Sequence, residues 1–337
     1  MRSRLSFASA LAIVVGIAAC GGDDDGAAPI DARRTDAATD AGDPDASDPD
    51  AAVDAAADAA SPDASVDAAP DAAPDAGTDG PTGDAPPPVG AHLLITEVKT
   101  VDNSEFIEIY NPTDQVISLR NYYLTDHQSY FLLPGGTPPA TDQTDFLARF
   151  PMGASIAPRQ VITVATDAVG FEAAFSMVPT YTVQELGNST AMELVWQGPT
   201  NPNPGLTNAG EMVALFFWDG ATDTVRDVDI VVAGNAPTAA NTIIAKTAVD
   251  GPDADAATTA YATDALTIQD METDTPNGTS YKRIAFETGH EVQTSTGNGI
   301  TGDDETSEAL RMTWDSQSTA TNYTAATPGV VPAVLNP

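Results

Sequence analysis

The chain has 337 residues, 42% hydrophobic and 6% aromatic, with 49 acidic side chains against 13 basic ones and a formal net charge of −36. A surplus of that size opposes binding to a phosphate backbone, which needs clustered Lys and Arg. The single Cys excludes an internal disulfide, and with only three His a zinc centre of the usual nitrogen and sulfur type has little to build on.

Arg2 and Arg4 open a segment that runs uncharged and mostly apolar from Leu5 to Ala19. A basic start, a short apolar stretch and small residues before a cut are the layout of a secretory signal. The apolar part is shorter than the roughly 20 residues of a membrane span. Ile17-Ala18-Ala19-Cys20 resembles the bacterial lipobox, in which small residues precede a lipidated Cys. The resemblance implies that residues 1–19 are removed and that Cys20 carries acyl chains, each buried CH2 contributing about 0.8 kcal/mol to membrane binding. Gly21, where an Asp would mark inner-membrane retention, favours the outer membrane of a Gram-negative cell envelope.

Residues 20–90 then form an acidic linker. Between Gly21 and Gly90 there is no Leu, Phe, Trp, Tyr or Met, and 18 Asp face only Arg33 and Arg34. Such a tract cannot bury enough apolar surface to offset the entropy of ordering its backbone. Ala favours helix, but acids recurring mostly four apart from Asp54 would stack like charges, and Pro62, Pro70 and Pro74 would interrupt the helix. A disordered, self-repelling spacer is expected, with a reach between about 45 Å as a coil and about 200 Å fully drawn out.

From Ala91 to the end the pattern is that of β-structure. Strands are expected in HLLITEV and in SEFIEIY, where Ile107 and Ile109 share one face and Phe106, Glu108 and Tyr110 the other. Asn111-Pro112-Thr113-Asp114 supplies turn chemistry, with the chain expected to return through Val116 to Leu119 as a hairpin. Asp142–Phe150 and Gly170–Ser176 suggest short helices. Further strands are expected near Val161–Ala165, Glu193–Trp196, Met212–Trp218 and Val225–Val232, with a late one in SYKRIAF. Pro134–Ala140 and Asn235–Asn277 read as long loops or insertions. Many short strands split by turn residues make residues 91–337 one all-β domain, a sandwich or barrel.

The stretch LLITEVKTVDNSEFIEIYNPTDQVISLRNYYLTD is similar to the opening of a lamin-tail domain: an ITEV-like strand, an acidic block ending in Tyr-Asn-Pro, then an aromatic run ending in Asp. LTNAGEMVALFFWDG, TSYKRI and ATPGVVPAVLNP resemble later blocks of that family, in the expected order. The resemblance implies an immunoglobulin-like β-sandwich, here with long loop insertions. Eukaryotic members are associated with nuclear structure and chromatin. The domain's 31 acids against 9 bases, with Lys282-Arg283 its only adjacent basic pair, argue against any nucleic-acid partner here.

No catalytic signature appears. His92, His127 and His290 form no close pair, and there is neither a Gly-x-Ser-x-Gly elbow nor a phosphate loop. Glu105 and Glu108 could be imagined as an acid and base, but their place in the family's strand block favours hydrogen bonding within the sheet. Asp219, Asp223, Asp227 and Asp229, gathered around one turn, are the sharpest calcium candidates, since hard cations take carboxylate oxygens. Asp253 with Asp255, and Asp303-Asp304-Glu305, are weaker groups. None follows the EF-hand pattern, and a solvated acidic surface accounts for them equally well. Tyr122, Tyr123 and Tyr130 fit core packing better than an exposed contact.

The expected protein is thus a membrane-anchored, non-catalytic lipoprotein needing no cofactor, apart from the calcium option. It would display its sandwich for adhesion, envelope organisation or recognition of an extracellular protein or polysaccharide. The alternative is a calcium-type metal-dependent hydrolase, or an accessory domain of a secreted nuclease or phosphatase system. A pocket lined by three or more buried carboxylates would favour that alternative.

Overall fold

A computed structural model of the chain describes residues 92–136, 144–184, 187–197, 204–208, 210–234, 241–262, 280–290, 297–315 and 325–335. The expected signal segment, Cys20 and the acidic linker lie outside the described residues. Those described hold two facing sheets and few helices, and none of the helices is long and apolar enough to cross a membrane.

The first sheet is built on β1 (Leu94–Lys99) and β2 (Phe106–Tyr110), which pair antiparallel. Simple alternation from Leu93 and Ile95 would turn Glu97 into the core. A β-bulge at Thr96 prevents this: Ile95 pairs with Ile109 but Glu97 with Glu108, so Val98 joins Leu93 and Ile95 inside. The extra residue restores the match between the apolar pattern and the buried face. β2 also pairs with β7 (Val161–Ala165), and the sheet continues through the short strands β8 (Tyr181–Thr182) and β9 (Thr190–Ala191), both parallel.

A parallel step from β7 to β8 needs a crossover, and α1 (Ala168–Phe175) supplies it. Asp167 caps α1 by accepting from the N–H groups of Val169 and Gly170. Phe171 and Phe175 on α1 meet Phe106 edge-on at 5.5 Å, covering the outer face of the sheet. This is why β2 is buried on both faces although its sequence alternates.

The second sheet runs in the order β10 (Glu193–Gln197), β5 (Phe146–Arg149), β4 (Tyr122–Thr125), β11 (Glu211–Phe217), β12 (Arg226–Ala233). The apolar run of β11 is buried along its whole length. Tyr123 stacks on Phe216 at 5.1 Å, and Tyr130, in the 3-10 turn Tyr130–Gly135, lies 5.0 Å from the same ring. All three of Tyr122, Tyr123 and Tyr130 are core aromatics, as expected. The segment 241–262 packs here too, with Tyr261 Oη donating to Phe131 O at 2.8 Å and accepting from Val225 N–H at 3.0 Å. One bridge, Val249 with Thr259, is the ladder pairing described within it.

Two expectations are corrected. β3 (Ile117–Ser118) does not return along β2; it pairs with β6 (Ser155–Ile156). β2 already has β1 and β7 on its two edges, so no place remains for β3. The Asn111-Pro112 turn is real, with Asn111 Oδ1 accepting from Thr113 N–H at 3.0 Å, but it steers the chain out of the first sheet. Within Asp142–Phe150, Phe146–Arg149 is strand β5, not helix: hydrogen-bonding partners on both sides, β4 and β10, override a weak local preference. The other expected helix and the strands near β7, β10, β11 and β12 are where the sequence puts them. The late strand is β13 (Tyr281–Lys282), added to the free edge of β1.

Candidate functional site

The acids of the family-like blocks are buried braces. Glu108 accepts from Thr96 Oγ1 at 2.7 Å and from Gly329 N–H at 2.7 Å, while Glu97, its cross-strand partner, takes Thr327 N–H at 2.9 Å. Thus the Thr-Pro-Gly block near the end of the chain is stitched onto the two acids of the first sheet. Burial pushes Glu108 up to about 7, with the neighbouring Glu97 adding to the rise. Glu105 accepts from Leu206 N–H at 2.8 Å and Thr166 Oγ1 at 3.1 Å, and burial raises it also to about 7. Asn111 Nδ2 donates to the carbonyls of Gln115, Ile156 and Ala157, tying three points of chain together.

Glu211, from the LTNAGE block, accepts from Thr207 N–H at 2.7 Å and faces Asp126, the Asp ending the YYLTD run. Burial raises both carboxyls well above the ordinary range. Asp126 also receives Phe146 N–H at 2.7 Å. Both Glu105 and Glu108 thus accept hydrogen bonds that tie the first sheet to neighbouring segments. Sequence reading did not single out Glu97, Asp126 or Glu211, although the blocks containing them were quoted.

The four calcium candidates go to separate partners. Asp219 accepts from Ala221 and Thr222 N–H in an exposed turn, and Asp223 from Gly251 N–H at 3.1 Å. Asp227 accepts from Lys246 Nζ and Tyr130 Oη, each at 2.6 Å. Asp229 accepts from one Arg283 Nη through both of its oxygens, at 2.7 and 2.8 Å. Among the described residues no three of them offer oxygens to one point: strand alternation, a bulge and a turn aim the four apart. Asp250, Asp253 and Asp255 do converge, but all three are solvent-exposed.

A different set of acids converges in the interior. β12 carries its own bulge, between the pairs Leu215 with Asp229 and Phe216 with Asp227. Opposite it lies the bulge of β1, and the buried Arg283 sits beside both. Its Nε donates to Ile95 O at 2.8 Å, one Nη to Asp229 and the other to Glu308 Oε1 at 2.7 Å, while Trp314 covers its face at 4.9 Å. Ile95 N–H donates in turn to Asp229 Oδ2 at 2.6 Å. Backbone groups that a bulge frees from the ladder are thus satisfied by charged side chains.

Glu287 lies in the same group, hydrogen-bonded to His92. Burial would lower His92, but Glu287 outweighs it and holds the imidazole at about 9. Burial raises Asp229 to about 8 against the pull of Arg283. Of the other histidines, His127 Nδ1 accepts from Ser129 N–H at 2.9 Å and its Nε2 lies 3.3 Å from Asp145. Among the described residues no group of metal ligands contains a His.

On the surface, three connections meet at one end of the second sheet: β3–β4, β5–β6 and β11–β12. They enclose a recess of about 180 Å³ lined by Arg120, Asn121, Arg149, Phe150, Met152 and Asp219. Trp218 N–H to Asn121 O, at 3.0 Å, and Phe150 N–H to Tyr122 O, at 3.1 Å, lock the three together. Arg149 is half-exposed and paired with Glu193 on β10; Met152 is 80% exposed.

Two antiparallel-dominated sheets closing on one core, with polar motif residues spent as braces, define an immunoglobulin-like class of module. Residues 86–232 match the family model for the Lamin Tail Domain. The match ends inside β12, so β13 and the Thr327–Gly329 block, which complete the first sheet, lie beyond it. Among solved structures, a DUF4876 family protein from Bacteroides thetaiotaomicron is similar, at 14% identity over 72% of each chain with a TM-score of 0.38. No curated protein matches the chain.

Proposed function

We propose that the chain is a lipoprotein, anchored through Cys20 in the outer membrane, which displays a non-catalytic lamin-tail-type sandwich on its acidic linker and recognises an anionic extracellular partner, protein or polysaccharide. The recess between the three connections carries this reading. It places two of the domain's few basic residues, Arg120 and Arg149, beside Phe150, Met152 and Asp219 in one recess. In a domain of strongly negative charge, two guanidinium groups lining one recess, Arg149 already reaching Glu193, suit carboxylate or sulfate groups, which Arg binds in bidentate fashion.

The hydrolase alternative gains little from the interior acids. A catalytic metal keeps an open position for water or substrate, whereas Asp229, Glu287 and Glu308 are at most 5% exposed and Arg283 bridges two of them.

Two measurements test the reading. Cys20→Ala should move the protein from the membrane to the soluble fraction; retention on membranes would remove the anchor from the proposal. Full-length protein should bind a polyanion such as polygalacturonate in a salt-sensitive manner. Arg120→Ala with Arg149→Ala should weaken that binding at least about tenfold. Unchanged affinity in the double variant would discard the recess as the contact.

A further inference from the structure

Lys246 brings a primary amine into the interior beside both an amide and an acid. Its side chain is 4% exposed, and its Nζ donates to Asp227 Oδ2 and to Asn298 Oδ1, each at 2.6 Å. Asp227 is itself 1% exposed and also accepts from Tyr130 Oη at 2.6 Å. The ring of Tyr261 lies on another side of the amine, its centroid 6.0 Å from Nζ. Amine, carboxyl and amide carbonyl thus meet at one buried atom, with two tyrosines around them.

The amide is held in place from its own side. Asn298 O accepts from Asp227 N–H at 3.0 Å and Ile300 N–H donates to Asp227 O at 2.6 Å, so this stretch bridges β12 in parallel at Asp227 and Gly299. Asn298 Nδ2 donates to Val225 O at 3.3 Å, which leaves Oδ1 for the amine. An ion pair needs only Lys246 and Asp227; the third group is an electrophile. Its Cγ lies one C=O bond of about 1.23 Å from Oδ1, hence within about 3.8 Å of Nζ. Reacting atoms are poised at about 3–3.5 Å, so a small side-chain adjustment suffices.

We propose that Lys246 and Asn298 join in an intramolecular isopeptide bond, which the folded chain forms by itself with Asp227 as the catalytic residue. Asp227 Oδ2 takes a proton from Nζ and leaves the neutral amine, the nucleophilic form of lysine. An interior that disfavours charge supports this neutral pair. The Nζ lone pair attacks Asn298 Cγ, and the carbonyl π pair moves onto Oδ1. As that pair returns, the Cγ–Nδ2 bond breaks. Asp227 hands its proton to Nδ2 and takes one from the attacking nitrogen; ammonia leaves, as ammonium once Asp227 is ionised again. One C–N bond replaces another, so the step needs no oxidant, reductant or further reactant. The bond would tie the segment 241–262 to the segment 297–315 across β12, and both segments follow the family match.

The test digests the full chain with trypsin after folding and then complete unfolding. A linked chain should resist cleavage after Lys246 and give one branched product joining residues 227–282 to 284–311, lighter than their sum by one ammonia. Tandem mass spectrometry should place the branch on Lys246 and Asn298. Asn298→Ala and Lys246→Arg should each abolish the branch; Lys246→Arg keeps the charge beside Asp227, so its result reports on the amine and not on folding. Asp227→Ala should slow linkage about 100-fold or more, as loss of a general acid and base does. The proposal is overturned if the parent chain yields residues 227–246 and 284–311 as separate products. It is equally overturned if Asn298 is only hydrolysed to aspartate, or if the branch runs to Asp227 with loss of water.

Discussion

At Arg283 all three nitrogens of a planar guanidinium are engaged by a backbone carbonyl and two carboxylates, and an indole ring covers a face. A Lys could keep the charge but not this fork. Arg283→Ala would strand Asp229 and Glu308 in the interior, and urea unfolding should show a loss of about 3–5 kcal/mol. A loss below about 1 kcal/mol would mean that the carboxyls are neutralised without the guanidinium. In the sequence this residue is half of a basic pair inside an apolar run, and that is all a linear reading can see. Its partners stand 54 and 25 residues away, and only strand pairing brings them near. The aspartates of β12 teach the converse. Four acids close together along the chain looked like ligands for one ion, but Asp219 and Asp223 stand in the turn before β12, and the bulge sends Asp227 and Asp229 to different partners.

Single positions decide how whole elements seat. In α1, Gly170 packs so closely that an added Cβ would overlap the backbone of Asn103. On an open helix, Gly→Ala gains about 1 kcal/mol from propensity. Here Gly170→Ala should instead destabilise by about 1–3 kcal/mol, because the helix must lift from Phe106 to make room. A raised melting midpoint in this variant would show that α1 shifts freely. The bulge at Thr96 works at the same scale by delivering Val98, not Glu97, to the core. Strong β-branched and aromatic runs such as IEI and VALFF were legible as strands, since alternation or continuous apolarity leaves little choice. β3 and β5 were not: neither its pairing nor, for β5, its type is set locally, because hydrogen-bonding capacity on neighbouring strands decides both.

For the molecule as a whole, the buried acids set the response to pH. Glu105 and Glu108, raised from 4.5 to about 7, hold their protons longer in the folded chain than in the unfolded one. Their stabilising contribution is complete below about 4.5 and is lost as pH rises through about 7, so the native state favours mild acid. With chelator present, the melting midpoint of the full chain should fall from pH 5 to pH 7, and Glu105→Gln with Glu108→Gln should flatten that slope. A midpoint that rises over this range would contradict the assignment. By itself, the sequence determined a basic start with an apolar stretch after it, a tract too polar to build a core, and an all-β domain resembling the lamin tail, because composition, periodicity and a short motif are local properties. Which acids pair with which bases, how the Thr327–Gly329 block closes the first sheet, and where the loops gather two arginines were decided only in the tertiary structure, because charge compensation, strand pairing and hydrogen bonding join residues far apart in the chain, more than 200 positions for Glu97 and Glu108 with that block.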